Sequence, residues 1–509
     1  MDREVKLSRF EFAFLFLSAL LTITLVSTSS PLYPFNVWDD TNVFLTLGRG
    51  ILKGMVPYRD LYDQKGPLLF FLHAFAAFIS FDSFTGAWIL EVCASFLFAV
   101  ISWKTVKLYY DVPQVYIWFV PLYLVSIYTI RMFNFGGSAE ELCFPLISVC
   151  FYTGLKMIRY DRLPSSGESL LCGIMTGTLL WIKYTFLGSI IGLCLFIVIF
   201  AISKKQIKEL IKPILMFLLG VVIITIPFLI YFAVNNSLEY LWEGYFYNNI
   251  FRYLKDENNY GLLSVPVLGK LLIPLVIIVK LSIDYPAYGV LILMALIGVI
   301  LFDKKYRRGV ILLSLLTFVP ATLTIFTRVS YIYYYGYILC FYFVLALMMT
   351  IKIVRILQNK VSLREKVFRC CMATGVIIFY SVFVLNCKNL YLLGLTKQDL
   401  VQYKFAEIIN NTDDPKVLTY DVMDSGFFTA AGILPSNRFY CYLNISEVWN
   451  EIPNEQNKLI DEGYFDYIVT YKDEYSWDNY EVIAVEEMPY CDFTGILALD
   501  RYYLYQKIS

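Results

Sequence analysis

The chain has 509 residues, of which 58% are hydrophobic and 17% charged, against roughly 45–50% and about 25% in soluble domains. Its apolar residues fall in runs of about 17–20, each long enough to cross a hydrocarbon core of about 30 Å, which excludes a cytosolic enzyme and predicts an integral membrane protein. Lys+Arg and Asp+Glu balance at 42 each, so no basic surplus exists to neutralise a phosphate backbone, and nucleic acid is excluded as a partner.

The first apolar run, residues 10–27, follows Arg3, Lys6 and Arg9 but lacks a small-residue cleavage site. It reads as a retained helix with a cytoplasmic N-terminus. Further crossings are expected near 86–103, 115–131, 141–158, 169–184, 186–203, 213–234, 285–302, 309–326, 335–353 and 367–386, about eleven in all. Two more apolar runs, at 67–81 and 266–283, reverse everything downstream if they cross. Positive charge decides against that. With both runs held at the outer face, Lys104 and Lys107, Arg159 and Arg162, Lys204 to Lys212, Lys304 to Arg308, and Lys352 to Lys366 all fall in cytoplasmic segments, as the positive-inside rule requires. The chain is then a multi-pass plasma-membrane protein whose C-terminus lies outside.

Two long outer segments result, 28–85 and 235–284, both rich in interfacial aromatics such as Tyr33, Trp38, Tyr58, Tyr240 and Trp242; an anchoring belt and substrate contact are both open to them. After residue 386 short β-rich runs (416–420, 467–471, 480–485, 495–505) mix with a helical pattern at 446–462 and with turn residues. The fold class is therefore a polytopic α-helical membrane protein of about eleven crossings plus interfacial helices over 1–386, with a small extracytoplasmic α/β domain over 387–509. The eleven cysteines show no paired C-x-x-C spacing, which argues against zinc or thioredoxin-like chemistry. N-x-S/T triplets at Asn235, Asn410 and Asn444 all fall in outer segments, but chance accounts for them.

The polar content of the first outer loop is unusual. It reads W-D-D-T-N from Trp38, then V-P-Y-R-D-L-Y-D-Q-K-G-P-L from Val56. That places Asp39, Asp40, Arg59, Asp60, Asp63 and Lys65 between two apolar segments. Adjacent carboxylates repel, which raises the pKa of one of them and suits it to general-base work; a solvated loop with its acids facing water is the alternative. Lone His73, inside the apolar run after Lys65, reads as a packed interfacial residue.

The order of a first helix, W-D-D, and then P-Y-R-D-x-x-D-Q-K-G-P-L resembles the C-type (GT-C) membrane glycosyltransferases that use polyprenyl-phosphate sugars. The similar branches are the family 39-like enzymes, among them the protein O-mannosyltransferases and the lipid A aminoarabinose transferase. Gly173 to Gly177 with Trp181 and Lys183 is similar to the family's Gly-rich helix, and Arg328 with Tyr331 and Tyr333 to Tyr335 to its basic, tyrosine-rich outer turn. The pattern Asp421, Gly426-Phe-Phe, Gly432, Pro435 and Arg438-Phe-Tyr is similar to the small outer domain of bacterial relatives.

The resemblance implies inverting transfer of a sugar from a polyprenyl-phosphate donor to a surface glycan, lipid or protein. It implies Asp39 as the base with Asp40 beside it; Asp40 is Asp where the mannosyltransferases have Glu. It implies Lys65, Arg328, Tyr331 and Tyr334 near the donor phosphate, with Gly66 standing where the family has Pro. Arg59, Asp60, Asp63, Glu140 and Glu141 are substrate-binding candidates, and for the two glutamates stabilisation of a helix N-terminus is an equal alternative. No cofactor is assigned, and use of a divalent cation is left open. A transporter or flippase of lipid-linked saccharides predicts charges at the bilayer midplane and two related halves, neither of which the sequence shows. A non-catalytic assembly protein would leave Asp39, Asp40 and Lys65 without a role.

Overall fold

The computed structural model describes residues 5–252, 267–324, 339–361, 365–471, 474–491 and 497–508. In chain order the helices are α1 (Arg9–Val26), α2 (Asp39–Leu52), α3 (Pro67–Ile79), α4 (Thr85–Tyr109), α5 (Phe119–Tyr128), α6 (Ala139–Tyr160), α7 (Ser166–Lys183), α8 (Leu187–Ser203) and α9 (Ile211–Val234). They continue as α10 (Val267–Asp284), α11 (Pro286–Ile300), α12 (Arg307–Thr324), α13 (Phe343–Val361) and α14 (Glu365–Leu385). A serine caps three of them. Ser8, Ser138 and Ser165 each accept from the amide three residues on, where Glu11, Glu141 and Glu168 return the bond, so first-turn amides are satisfied within the chain.

Each expected crossing overlaps a helix, but those expected at 115–131 and 285–302 meet only the shorter apolar stretches Gln114–Tyr128 and Pro286–Ile300. Among the described residues seven stretches combine the length and hydropathy of a span, including Ser166–Ser203, which holds both α7 and α8. The chain is a multi-pass membrane protein, and its outward surface says why: on α9, Ile211, Leu215, Leu218, Ile226 and Ile230 stand exposed, a stripe too large and too apolar for water. The tenth crossing, expected at 335–353, differs. Its helix α13 runs on to Val361, past Lys352 and Arg355, because long basic side chains are good helix formers that can extend toward water from an apolar helix.

The first loop contains structure that its composition hides. The segment D-D-T-N-V-F-L-T-L-G-R-G-I-L carries two glycines and several β-branched residues, poor helix formers, yet it is helical as α2 because tertiary packing overrides propensity. Its residues from Thr41 to Gly50 are all buried, and Gly48 lets α3 approach until a Cβ there would lie 2.4 Å from the His73 carbonyl carbon. α3, at 13 residues, is only about 20 Å long and cannot span the bilayer. It packs instead between α2, α4 and α7.

Among the described residues the C-terminal sheet domain has four strands, β1 (Val417–Thr419), β2 (Tyr467–Tyr471), β3 (Tyr480–Cys491) and β4 (Leu497–Lys507), in the order β1-β2-β4-β3. β1 pairs parallel with β2, Leu418 opposite Ile468; β2 pairs antiparallel with β4, Val469 opposite Leu504. Three helices complete it: α15 (Val401–Ile409), α16 (Phe427–Ala431) and α17 (Glu451–Asp461). α17 is the core of the expected 446–462 helix; α15 and α16 were not expected. The domain sits on the first loop through several polar ties. Arg438 donates Nε to the Tyr58 carbonyl at 2.8 Å, and its own carbonyl accepts from the Tyr62 amide at 3.0 Å. Its guanidinium lies among the rings of Tyr62, Tyr240, Phe439 and Trp449, 4.8–5.7 Å from their centroids, where cation–π attraction adds to each contact.

Gly66 joins this loop to α7. Its amide donates to the Ile182 carbonyl at 3.0 Å, and a Cβ on it would fall 2.1 Å from the Trp181 carbonyl oxygen. Gly66→Ala should therefore force the first loop off α7 and destabilise the protein by about 1–3 kcal/mol. The check is thermal unfolding in detergent; an unchanged midpoint would show that the loop can yield without cost.

Candidate active site

Asp39 and Asp40 are the first two residues of α2, where the helix dipole and free amides favour negative charge. The start of this helix is fixed from behind. Asn36 accepts from the Trp38 amide at 2.9 Å and donates to Ser29 Oγ and the Phe135 carbonyl, both at 2.9 Å. Thr41 Oγ1 donates to the Gly136 carbonyl at 2.6 Å, and the Trp38 ring stacks on Phe135 at 5.5 Å. Gly136 and Gly137 both take positive φ, 81° and 79°, which glycine adopts at little cost. The turn before α6 thus braces the residues that present the two acids.

Opposite them, Asp63 is buried and accepts from the Lys65 amide at 2.8 Å. Lys65 Nζ lies 4.0 Å from Asp40 Oδ2, and the Lys65 carbonyl accepts from Tyr58 Oη at 2.6 Å. Asp39, Asp40, Asp63 and Lys65 therefore form one cluster. Arg59 and Asp60 do not join it. They bond each other through two 2.8 Å contacts, Asp60 accepts from the Val56 amide, and Arg59 reaches the Asn235 carbonyl at the end of α9. Their partners are those of a loop clasp.

Glu140 and Glu141 divide. Glu141 spends one oxygen on the Ser138 amide, at 2.9 Å, so the helix-terminus alternative accounts for it. Glu140 is ion-paired with Lys183 at the end of α7, one residue beyond the carbonyl that holds Gly66. Arg328, Tyr331 and Tyr334 lie outside the described residues. Among the described residues no group of three or more His, Cys, Asp or Glu could hold a metal. His73 is buried, bonded through Nδ1 to the Leu69 carbonyl at 2.9 Å.

The electrostatics single out Asp39. Burial pushes its carboxyl up to about 7, with Asp40, Asp424 and Asp500 adding to the rise and a hydrogen bond from Ser425 opposing it. Asp63 is also raised by burial, against the pull of Lys65. Asp60 is held low by Arg59. Asp424, buried beneath the domain, is raised to about 6, while Thr46, the Gly426 amide and Arg49 favour its charge. A carboxylate near 7 beside the Lys65–Asp40 pair can take or give a proton at neutral pH.

No family model and no curated protein matches the sequence. Solved structures do. ArnT from Cupriavidus metallidurans bound to undecaprenyl phosphate superimposes with a TM-score of 0.57 at 12% identity, covering 99% of each chain. Its apo form gives 0.59 at 12% identity over 97% of each. The chain has the GT-C fold.

Within this fold the sequence reading missed a part of the cluster. Asp424 and Ser425 lie inside the Asp421–Gly426 pattern, yet no local signal marks them as neighbours of Asp39. Thr46 Oγ1 donates to Asp424 Oδ2 at 2.5 Å, and Ser425 Oγ donates to Asp39 Oδ1 at 2.7 Å. Asp500 and Tyr502 on β4, with Tyr471 on β2, also lie within reach of the Asp39 charge. Gly426, at φ 96°, was the one available clue: a Cβ there would lie 2.4 Å from the Phe35 ring.

Proposed function

We propose that the chain is a glycosyltransferase that moves a sugar from a polyprenyl-phosphate donor to a surface glycan, lipid or protein, with inversion at the anomeric carbon. The observation that carries this reading is Asp39, a carboxylate raised to about 7 beside the Lys65–Asp40 pair. The GT-C fold shared with ArnT, the lipid A aminoarabinose transferase, and the undecaprenyl phosphate bound to that protein support the donor class. In this reading Asp39 takes the proton of the acceptor hydroxyl as its oxygen attacks the anomeric carbon. The polyprenyl phosphate leaves from the opposite face, and Lys65 meets the charge that develops on it. The donor's chain stays in the bilayer, so chemistry is confined to the membrane surface that bears the first loop. That surface is the outer one if the N-terminus is cytoplasmic.

Orientation has its own test. Single cysteines near Asp63 and near Tyr471 should be labelled by a membrane-impermeant reagent from outside intact cells, and cysteines at Lys205 and Lys305 only after permeabilisation. Labelling of Lys205 positions from outside would invert the reading.

Consumption of radiolabelled polyprenyl-phosphate sugars by the reconstituted protein tests the activity. Asp39→Asn should lower the transfer rate by about 10²–10⁴-fold while the folded protein remains abundant. Only the ionised carboxylate accepts a proton, so the wild-type rate should rise as pH increases through about 7 and then level off. Full turnover in Asp39→Asn, or a rate that falls over that range, would end the assignment.

Arg328, with Tyr331 and Tyr334, is proposed as the second contact to the donor phosphate, since a buried phosphodiester needs charge-assisted partners. Lys65→Met and Arg328→Met should each weaken donor binding, and the double variant should lose less than the sum of the two. Strict additivity in a binding titration would separate the two residues.

A further inference from the structure

Asp39 begins a helix of the membrane domain, yet the hydroxyl that reaches it comes from 386 positions along the chain. Ser425 Oγ donates to Asp39 Oδ1 at 2.7 Å; the Met423 carbonyl is farther away at 3.4 Å, and the Tyr502 side chain of β4 also hydrogen-bonds to this serine. The serine is buried in a loop tied on both sides. Gln402 Nε2 of α15 donates to the Ser425 carbonyl at 2.9 Å, and Asp424 accepts from the Gly426 amide at 2.9 Å and from Thr46 of α2 at 2.5 Å. The hydroxyl is thus placed by contacts on both bodies.

Lys65, in the same cluster, and the amino end of α2 favour the charge of Asp39, whereas three nearby acids oppose it. Asp40 adjoins it on α2, Asp424 on the same loop as Ser425, and Asp500 on β4. Tyr471 of β2, Tyr502 of β4 and Cys441 also lie within its field. The hydrogen bond that stabilises the carboxylate as an ion comes from the Ser425 hydroxyl. We propose that Ser425 is a positioning residue, by which the C-terminal domain orients the Asp39 carboxylate and keeps it available as a base. The domain therefore completes the reactive group and does more than cover it. This rests on the reading of Asp39 as base, and it assigns the C-terminal domain a part in the chemistry.

The sign follows from which form the bond favours. A hydroxyl donated to a carboxylate stabilises the ion, so its removal raises the carboxyl pKa further above the ordinary range. In Ser425→Ala the rising limb of the pH–rate profile should move up by about one pH unit, the size expected for one hydrogen bond to a charged group. The transfer rate should then be about tenfold lower near pH 6 and nearly recovered near pH 9. Ser425→Thr should restore the wild-type limb. Ser425→Val, with the shape of threonine but no hydroxyl, should not, and this pair decides the matter should the alanine variant fail to fold.

A second measurement does not depend on transfer. A water-soluble carbodiimide labels protonated carboxyls, so the pH midpoint of Asp39 labelling, read by peptide mass spectrometry, should rise in the alanine and valine variants. If Asp39→Asn retains turnover, the base assignment fails, while the labelling midpoint still reports whether Ser425 acts on Asp39. A loss of rate equal at every pH, with an unchanged labelling midpoint, would reduce Ser425 to a packing contact and overturn the proposal.

Discussion

Holding a carboxylate out of water at a membrane surface is costly, and much of the architecture near Asp39 exists to meet that cost. An ionised acid in a low-dielectric cleft must be given donors and dipoles, or it takes up a proton. Asp39 receives the amino end of α2 and one hydroxyl, against three nearby acids. The balance leaves it raised, and the raised value is what suits it to proton transfer. The same balance requires that α2 be fixed, because a loose helix start would let water in and return the group to ordinary acidity.

Several close approaches supply that rigidity. Gly48 admits α3, Gly66 admits the end of α7, and Gly426 brings the C-terminal loop down onto Phe35. The turn at Gly136 and Gly137 ties α6 to α2 through Thr41. Together these hold the beginnings of α2 and α6, the end of α7 and the loop of the sheet domain close to Asp39. The clasp of Arg59 and Asp60 serves the same end, since two charges that meet each other and the backbone hold a loop without contributing a free group.

The bilayer imposes the rest. Helices such as α9 expose aliphatic side chains over their length, while α1, α6 and α7 begin in serine–glutamate caps. α3 shows the converse case. It is apolar enough for lipid but too short to span, and its burial against three helices turns it into the floor of the first loop.

The sequence by itself determined the apolar helices, the sheet strands and the polar loop, because hydropathy over a window and period-two alternation are local quantities. It also determined that Asp39, Asp40, Asp63 and Lys65 share one segment, since they lie within 27 positions of each other. It did not reveal α2 as a helix, because that helix is stabilised by contacts that composition opposes. It left Glu140 and Glu141 equivalent, where the structure gives one to a cap and the other to Lys183. It could not separate Arg59 and Asp60 from the cluster they neighbour in sequence. Nor could it bring Ser425, Asp424 or Asp500 to Asp39: a hydrogen bond across 386 positions leaves no periodicity or spacing to read. Only the docking of one folded body on another decided those neighbours, and with them the charge of the acid.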